Sequence, residues 1–192
     1  MLYLVRHGRT AQNAAKVLLG RMDVPLDELG RRQAAALGAV AHLRGASRVI
    51  SSPLARAFDT AASLGPPVTV EDRWIEIDYG RFDGQELSAA AELWAGWDAD
   101  LEFRPDGGES LADLGRRVRA ACEDLWAEAE TADVVVVSHV SPIKAAVAWA
   151  LGLDDQAQWR LFLDTASITT IGPGRRGPTL RSFNETGHRP GF

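Results

Sequence analysis

The chain has 192 residues, 46% of them hydrophobic and 24% charged, with a formal net charge of −5. These values fit one globular domain and exclude a disordered or collagen-like chain. No apolar run approaches the ~20 residues that span a bilayer, no secretory leader is visible, and the lone Cys122 has no partner for an internal disulfide.

Short apolar runs alternate with amphipathic stretches, the pattern of an α/β domain. Leu2–Val5 predicts a first strand, followed by a polar loop and a helix from about Asp27 to Arg44. Val49–Ser51 predicts a second strand, and Pro53 suits the first position of a helix running to about Leu64. Val68–Val70 predicts a third. Glu86–Trp97 reads as helix and Leu101–Gly108 as loop. Ser110 with Asp113 resembles a capping box, and Leu111, Leu114, Val118, Cys122 and Leu125 then share one helical face. Val134–Val137 is apolar at four successive positions, as in a central parallel strand covered on both faces. A helix follows from Ser141-Pro142 to about Leu151, and Asp154 caps a short one reaching Leu163. Ile168–Ile171 and Thr179–Phe183 predict closing strands joined by the turn at Gly172–Pro178, in which Arg175 and Arg176 are solvated. The tail from Glu185 is expected to be loose.

The residues that follow the strands carry the functional signal, because open parallel sheets bind ligands beyond the carboxyl ends of their strands. Arg6 and His7 follow the first strand, Arg56 lies in the first turn after the second, Glu76 comes shortly after the third, and His139 follows Val134–Val137. His42 and His188 fall in a helix and in the tail. Two arginines offer forked donors to a phosphate dianion. A neutral histidine can attack phosphorus, a second can hydrogen-bond the transferring group, and a carboxylic acid can protonate the leaving oxygen and then activate water. Glu71, Asp72, Asp78 and Asp83 compete with Glu76 for that last role. No metal-binding or nucleotide-binding motif is present. The expectation is therefore phosphoryl transfer without cofactor or metal, its charge balanced by Arg6, Arg56, the backbone at Gly8 and helix starts.

Six ordered blocks carry a resemblance. They are Leu4-Val5-Arg6-His7-Gly8-Arg9-Thr10 with Asn13, then Gly20 to Leu26 with Gly30 and Gln33-Ala34, then Ser51 to Ala57 with Thr60-Ala61. Glu76 with Gly80 and Gly84, Gly108-Glu109-Ser110, and Val137-Ser138-His139 complete the set. Together they resemble the histidine phosphatase superfamily, the phosphoglycerate mutase-like fold. The resemblance implies a three-layer α/β/α sandwich with a mostly parallel central sheet and a short helical lid at about 77–108 within one domain, 1–192. It implies that His7 becomes phosphohistidine, that Arg6, Arg56 and His139 bind the phosphoryl oxygens, that Gly8, Asn13 and Gly20 complete the pocket, and that Glu76 is the acid and then the base. Val140 stands where glycine often follows the second histidine, and Ser138 to Lys144 resembles the α-ribazole and broad-specificity acid phosphatases. No arginine-rich stretch surrounds Glu76, and the segment from Glu76 to Gly108 is short for a mutase.

These departures favour a phosphomonoesterase acting on small phosphate esters. The alternatives are a mutase with a bisphosphate activator and a phosphate-ester-binding regulator without turnover. The acidic balance argues against nucleic acid or an anionic membrane as partner. A cytoplasmic location is expected, and a homodimer is possible. Trp94, Trp97 and Phe103, with Tyr79 and Phe82, either pack the lid or wall the substrate entrance.

Overall fold

The computed structural model describes residues 1–188. Its centre is a six-stranded sheet made of β1 (Leu2–Arg6), β2 (Arg48–Ser51), β3 (Val68–Val70), β4 (Val134–Ser138), β5 (Ile168–Gly174) and β6 (Gly177–Glu185). The spatial order is β3-β2-β4-β1-β5-β6. β3, β2, β4 and β1 are mutually parallel, β5 runs antiparallel to β1, and β6 runs antiparallel to β5. The helices are α1 (Ala11–Ala14), α2 (Glu28–Gly38), α3 (Ala41–Arg44), α4 (Ala55–Ala62), α5 (Ala91–Ala99), α6 (Leu111–Ala129) and α7 (Val140–Leu151). No helix among the described residues is long and apolar enough to cross a membrane.

The four valines of β4 show why the chain builds three layers. Side chains alternate across a strand. Val134 and Val136 pack with Leu114, Val118, Cys122 and Ile143 of α6 and α7. Val135 and Val137 pack on the other face with Leu37, Ala57 and Ala61 of α2 and α4. All four are fully buried, and each buried valine contributes roughly 1.5–3 kcal/mol. A polar residue at any of them would strand its polar atoms in one of the two cores.

The structure shifts several boundaries. The helix expected over Asp27–Arg44 is broken between α2 and α3, where Val40 is extended, with φ −75° and ψ 112°. Gly38 and the β-branched Val40 are both weak helix formers there. Pro53 precedes its helix instead of opening it. Leu54 holds the cap position without a side-chain bond, and the distant Asp23 accepts from the Ala55 N–H at 2.7 Å. The stretch expected as helix from Glu86 is a 3-10 turn at Leu87–Ala89 followed by α5, and the stretch after Asp154 is a 3-10 helix, Asp155–Arg160. Glu185, expected to begin a loose tail, ends β6, and the His188 ring bonds the Ala166 carbonyl at 2.9 Å. The last four residues of that tail lie outside the described ones.

Candidate active site

The register of the parallel strands decides what meets at their carboxyl ends. Arg6 pairs with Ser138 across β1 and β4, and the His7 N–H donates to the Ser138 carbonyl at 3.0 Å. The next residue on each strand is therefore level, and the His7 and His139 rings lie 5.0 Å apart between centroids. β2 ends beside them, with the Ser52 N–H on the Val137 carbonyl and Ser52 Oγ 2.7 Å from His139 Nε2. His139 opens α7 without a side-chain capping bond, so its ring does not serve the helix.

Arg6 Nη1 donates to the Leu163 carbonyl at 2.6 Å. Arg56 is fully buried and donates to the Gly20 and Met22 carbonyls at 2.7 and 2.8 Å. Arg6 Nε, Arg56 Nε and His139 Nδ1 are buried without a partner among the described residues. Three orphaned nitrogens from one cluster are unusual, because buried polar groups are nearly always paired. They fit a site awaiting an acceptor-rich anion.

Glu76 follows the 3-10 turn Asp72–Trp74 and is 3% exposed. Its carboxylate accepts from the N–H groups of Ile77 at 2.9 Å and of Val140 and Ser141 at 3.2 Å. The last two belong to the first turn of α7, whose dipole favours an anion. Burial nevertheless raises its pKa above 4.5, against the pull of those N–H groups, Arg56 and Arg6. The competing carboxylates are engaged elsewhere: Glu71 with Arg73, Asp78 with Arg21 and Asp83 with a loop, while Asp72 is exposed.

His7 and His139 are both pushed well below 6.5, first by burial and then by the cations Arg56 and Arg6. The His7 ring also bonds the Gly8 carbonyl through Nδ1 at 2.7 Å. A carbonyl only accepts, so Nδ1 carries the proton and Nε2 keeps its lone pair. Burial lowers Arg6 to about 10, which leaves it charged at neutral pH.

Arg6, His7 and Glu76 meet a cleft of about 560 Å³, lined also by Asn13, Tyr79, Trp94, Trp97 and Trp159. Arg56 and His139 are completely buried. Asn13 lines the cleft, and its Oδ1 accepts from the Thr10 N–H in a capping box. Two expected phosphate contacts are corrected. The Gly8 N–H is taken by Thr60 Oγ1 at 3.0 Å, and a side chain at Gly8 would strike the Gly30 carbonyl at 2.5 Å. Gly8 therefore permits a close chain crossing. The Gly20 N–H is taken by Asp83 at 2.8 Å, and Gly20 instead offers its carbonyl to Arg56. Of the five aromatic residues considered, Tyr79, Trp94 and Trp97 line the cleft, whereas Phe82 and Phe103 pack behind it.

The sequence marks Asp83 only as a rival acid and Glu109 only within a resembling block, and their supporting roles appear only in the fold. Asp83 accepts from the N–H groups of Gly20, Arg21 and Met22 at 2.8, 3.0 and 2.9 Å, and so shapes the loop that grips Arg56. Glu109 holds Arg117 through two bonds of 2.7 and 2.9 Å, and Arg117 reaches the Arg73 and Glu76 carbonyls. Lys144, Gln158 and Trp159 line the cleft as well. The block containing Gly80 and Gly84 marked the region of Asp83 and the stretch Ser138 to Lys144 ended on Lys144, but Gln158 had no signal beyond its type.

The arrangement offers an unprotonated imidazole nitrogen, a cation and a buried acid on one cleft, with the second cation, Arg56, buried beside them, a set suited to in-line transfer of a phosphoryl group. A family model described as the histidine phosphatase superfamily (branch 1) matches residues 2–186. The bifunctional protein Rv2228c of Mycobacterium tuberculosis is 39% identical over 197 residues, covering 97% of this chain and 54% of that protein. The chain thus spans about half the length of that relative. A probable phosphoglycerate mutase, GpmB of Salmonella paratyphi C, is 34% identical over 88% of this chain and 83% of its own length. The structure of mycobacterial glucosyl-3-phosphoglycerate phosphatase Rv2419c with VO3 superposes with a TM-score of 0.84 at 32% identity, covering 96% of this chain and 98% of that one.

Proposed function

The chain belongs to the histidine phosphatase superfamily, and from that premise we propose that it is a phosphomonoesterase that hydrolyses small phosphate esters through a phosphohistidine at His7, with no metal. The observation that carries the reading is the single cluster at the strand ends: His7 Nε2 unprotonated, His139 5.0 Å away, and Glu76 on the same cleft.

In the first step the Nε2 lone pair of His7 forms a bond to phosphorus while the ester P–O bond breaks. Glu76 gives its proton to the departing oxygen. Arg6, Arg56 and His139 hold the phosphoryl oxygens through their free N–H groups. Ser52 Oγ lies 2.7 Å from His139 Nε2, and in the tautomer this step uses Ser52 donates to Nε2 and His139 Nδ1 carries the donating proton. In the second step water attacks phosphorus, the P–N bond breaks, and Glu76 takes the water proton. Splitting a very slow hydrolysis into two shorter barriers is where the rate gain lies.

The test is a rapid quench with a 32P-labelled phosphate ester in the presence of chelator. The expected result is a label on the protein that survives alkali, is lost in acid, and is absent from His7→Ala, together with undiminished phosphate release. Failure to trap label, or loss of turnover with chelator, overturns the reading. So does isomerisation of phosphoglycerate with its bisphosphate faster than phosphate release, which would make the protein a mutase. Tight ester binding without any release would make it a regulator.

A further inference from the structure

The proposed chemistry uses Arg6, His7 and Glu76 of the cleft and leaves other lining residues unexplained. Lys144 and Gln158 line the cleft with Trp94, Trp97, Trp159 and Leu163. Gln158 lies in the 3-10 helix Asp155–Arg160 and is 4% exposed, yet its Nε2 has no hydrogen-bond partner among the described residues. An unsatisfied buried donor costs about 1–3 kcal/mol. Lys144 is half-buried on α7, one turn beyond Val140 and Ser141, which bind Glu76. It makes no ion pair with any described residue, and burial lowers its pKa. A cation and an amide donor thus line the same cleft; the amide has no hydrogen-bond partner and the cation no ion pair among the described residues, Glu76 acting on Lys144 only through its field.

Much of the remaining lining is aromatic. Trp159 meets Trp94 edge-on at 6.0 Å and Trp97 at 6.4 Å, and Tyr79 meets Trp97 at 6.0 Å. Trp159 is 40% exposed, and Phe162 at the mouth is 70% exposed. Such faces accept a flat carbon surface. They could also hold a cationic ligand, but the Lys144 ammonium repels one. Donor, cation and apolar wall together define a ligand with an anionic end and a flat carbon body.

Resting on the phosphatase reading, we infer that the cleft contains a leaving-group subsite in which Lys144 and Gln158 bind a second anionic group of the substrate, a carboxylate or a further phosphate, while its carbon body lies against Trp94, Trp97 and Trp159. The preferred esters carry two anions: one transferred to His7, the other retained on the alcohol product. Specificity of this kind comes from pairing groups that are otherwise left unsatisfied.

The test compares phenyl phosphate, carboxyphenyl phosphates with the carboxylate meta or para, and benzene-1,4-diyl bisphosphate. For each ester, kcat/KM of wild type is divided by that of Lys144→Met, Lys144→Arg and Gln158→Glu, with circular dichroism as a check on folding. Taking ratios on one ester cancels its intrinsic reactivity and any common effect on Glu76. The expected result is that Lys144→Met loses about ten-fold more on one of the two-anion classes than on phenyl phosphate, as suits one charge-assisted contact. Lys144→Arg recovers most of that loss, and Gln158→Glu, which sets a carboxylate against the substrate anion, reproduces it. The class that shows the effect identifies the anion. Equal losses on all esters, or none, overturn the subsite while leaving the phosphatase reading intact. If folded wild type hydrolyses no ester, phenyl phosphate included, the phosphatase reading fails and the subsite falls with it.

Discussion

The His7 imidazole and the Glu76 carboxyl must hold opposite protonation states for the first chemical step. His7 must be neutral and Glu76 protonated. At ordinary values of 6.5 and 4.5 the order is wrong: a neutral histidine would coexist with an ionised glutamate. Burial shifts the two toward each other. His7 moves well below 6.5, so it stays neutral to lower pH than a free imidazole, and Glu76 moves above 4.5, so it keeps its proton to higher pH than a free glutamate. The rate therefore rises with pH as His7 deprotonates and falls as Glu76 ionises. The expected kcat/KM profile is a bell with its maximum on the acidic side of neutrality, since kcat/KM reports groups of the free enzyme. Glu76→Gln should remove the alkaline limb and slow an alkyl phosphate by about 10²–10⁴-fold. It should slow 4-nitrophenyl phosphate far less, because that leaving group needs no proton. A rate still climbing at pH 9 would remove Glu76 from the acid role.

The elements explain why His7 works where it stands. β1 and β4 bring the histidines level through their register, and the loop 20–22 fixes Arg56 through two carbonyls. That loop has its own anchor in Asp83, which satisfies three successive N–H groups. Asp83→Ala would leave those donors without their carboxylate and free the carbonyls to turn away from Arg56. With hydrogen bonds to charged groups contributing about 1.5–3 kcal/mol, kcat/KM should fall about 10- to 100-fold. Asp83→Asn keeps one acceptor oxygen and should recover part of the activity. An Asp83→Ala enzyme with unchanged kinetics would show that Arg56 holds its place without the loop.

The groups at the strand ends were legible because a strand followed by a charged residue is a local pattern. Arg6, His7 and His139 each stand within two residues of an apolar run, and Arg56 lies in the first turn of a helix. The four valines of β4 announced a central strand for the same reason. The supporting roles of Asp83 and Arg117 left no such trace, since Asp83 acts on Gly20 to Met22 and Arg117 on Arg73 and Glu76, tens of positions away, and only the folded chain brings them together. Gly8 and Gly20 were misread in the opposite sense. Glycine in a phosphate-binding loop suggests a bare N–H, but Thr60 and Asp83 had already taken both.

At the scale of the whole molecule, the site is maintained against the fold's own preference. Two imidazoles lie buried beside two guanidinium groups, whose charge depresses both rings. Unfolded, each histidine titrates near 6.5; folded, each titrates well below it. Between those values the unfolded chain binds more protons, so stability is complete above 6.5 and is lost as pH falls toward the folded pKa. Glu76 works the other way. Its raised pKa gives a contribution that is full below 4.5 and is lost as pH rises through its folded value. The surface carboxylates Glu71 and Asp113, held low by arginines, weaken the fold only below their unfolded values of 4.5 and 3.8. The window from pH 6.5 to 5 therefore isolates a contest of two histidines against one glutamate, and the histidines should prevail. Thermal unfolding should show a lower Tm at pH 5 than at pH 7.5, and the difference should shrink in a His7→Gln, His139→Gln double variant, which carries no imidazole to protonate. A wild-type Tm equal or higher at pH 5 would mean that the two rings are not held neutral, and the unprotonated nucleophile inferred at His7 would lose its electrostatic basis.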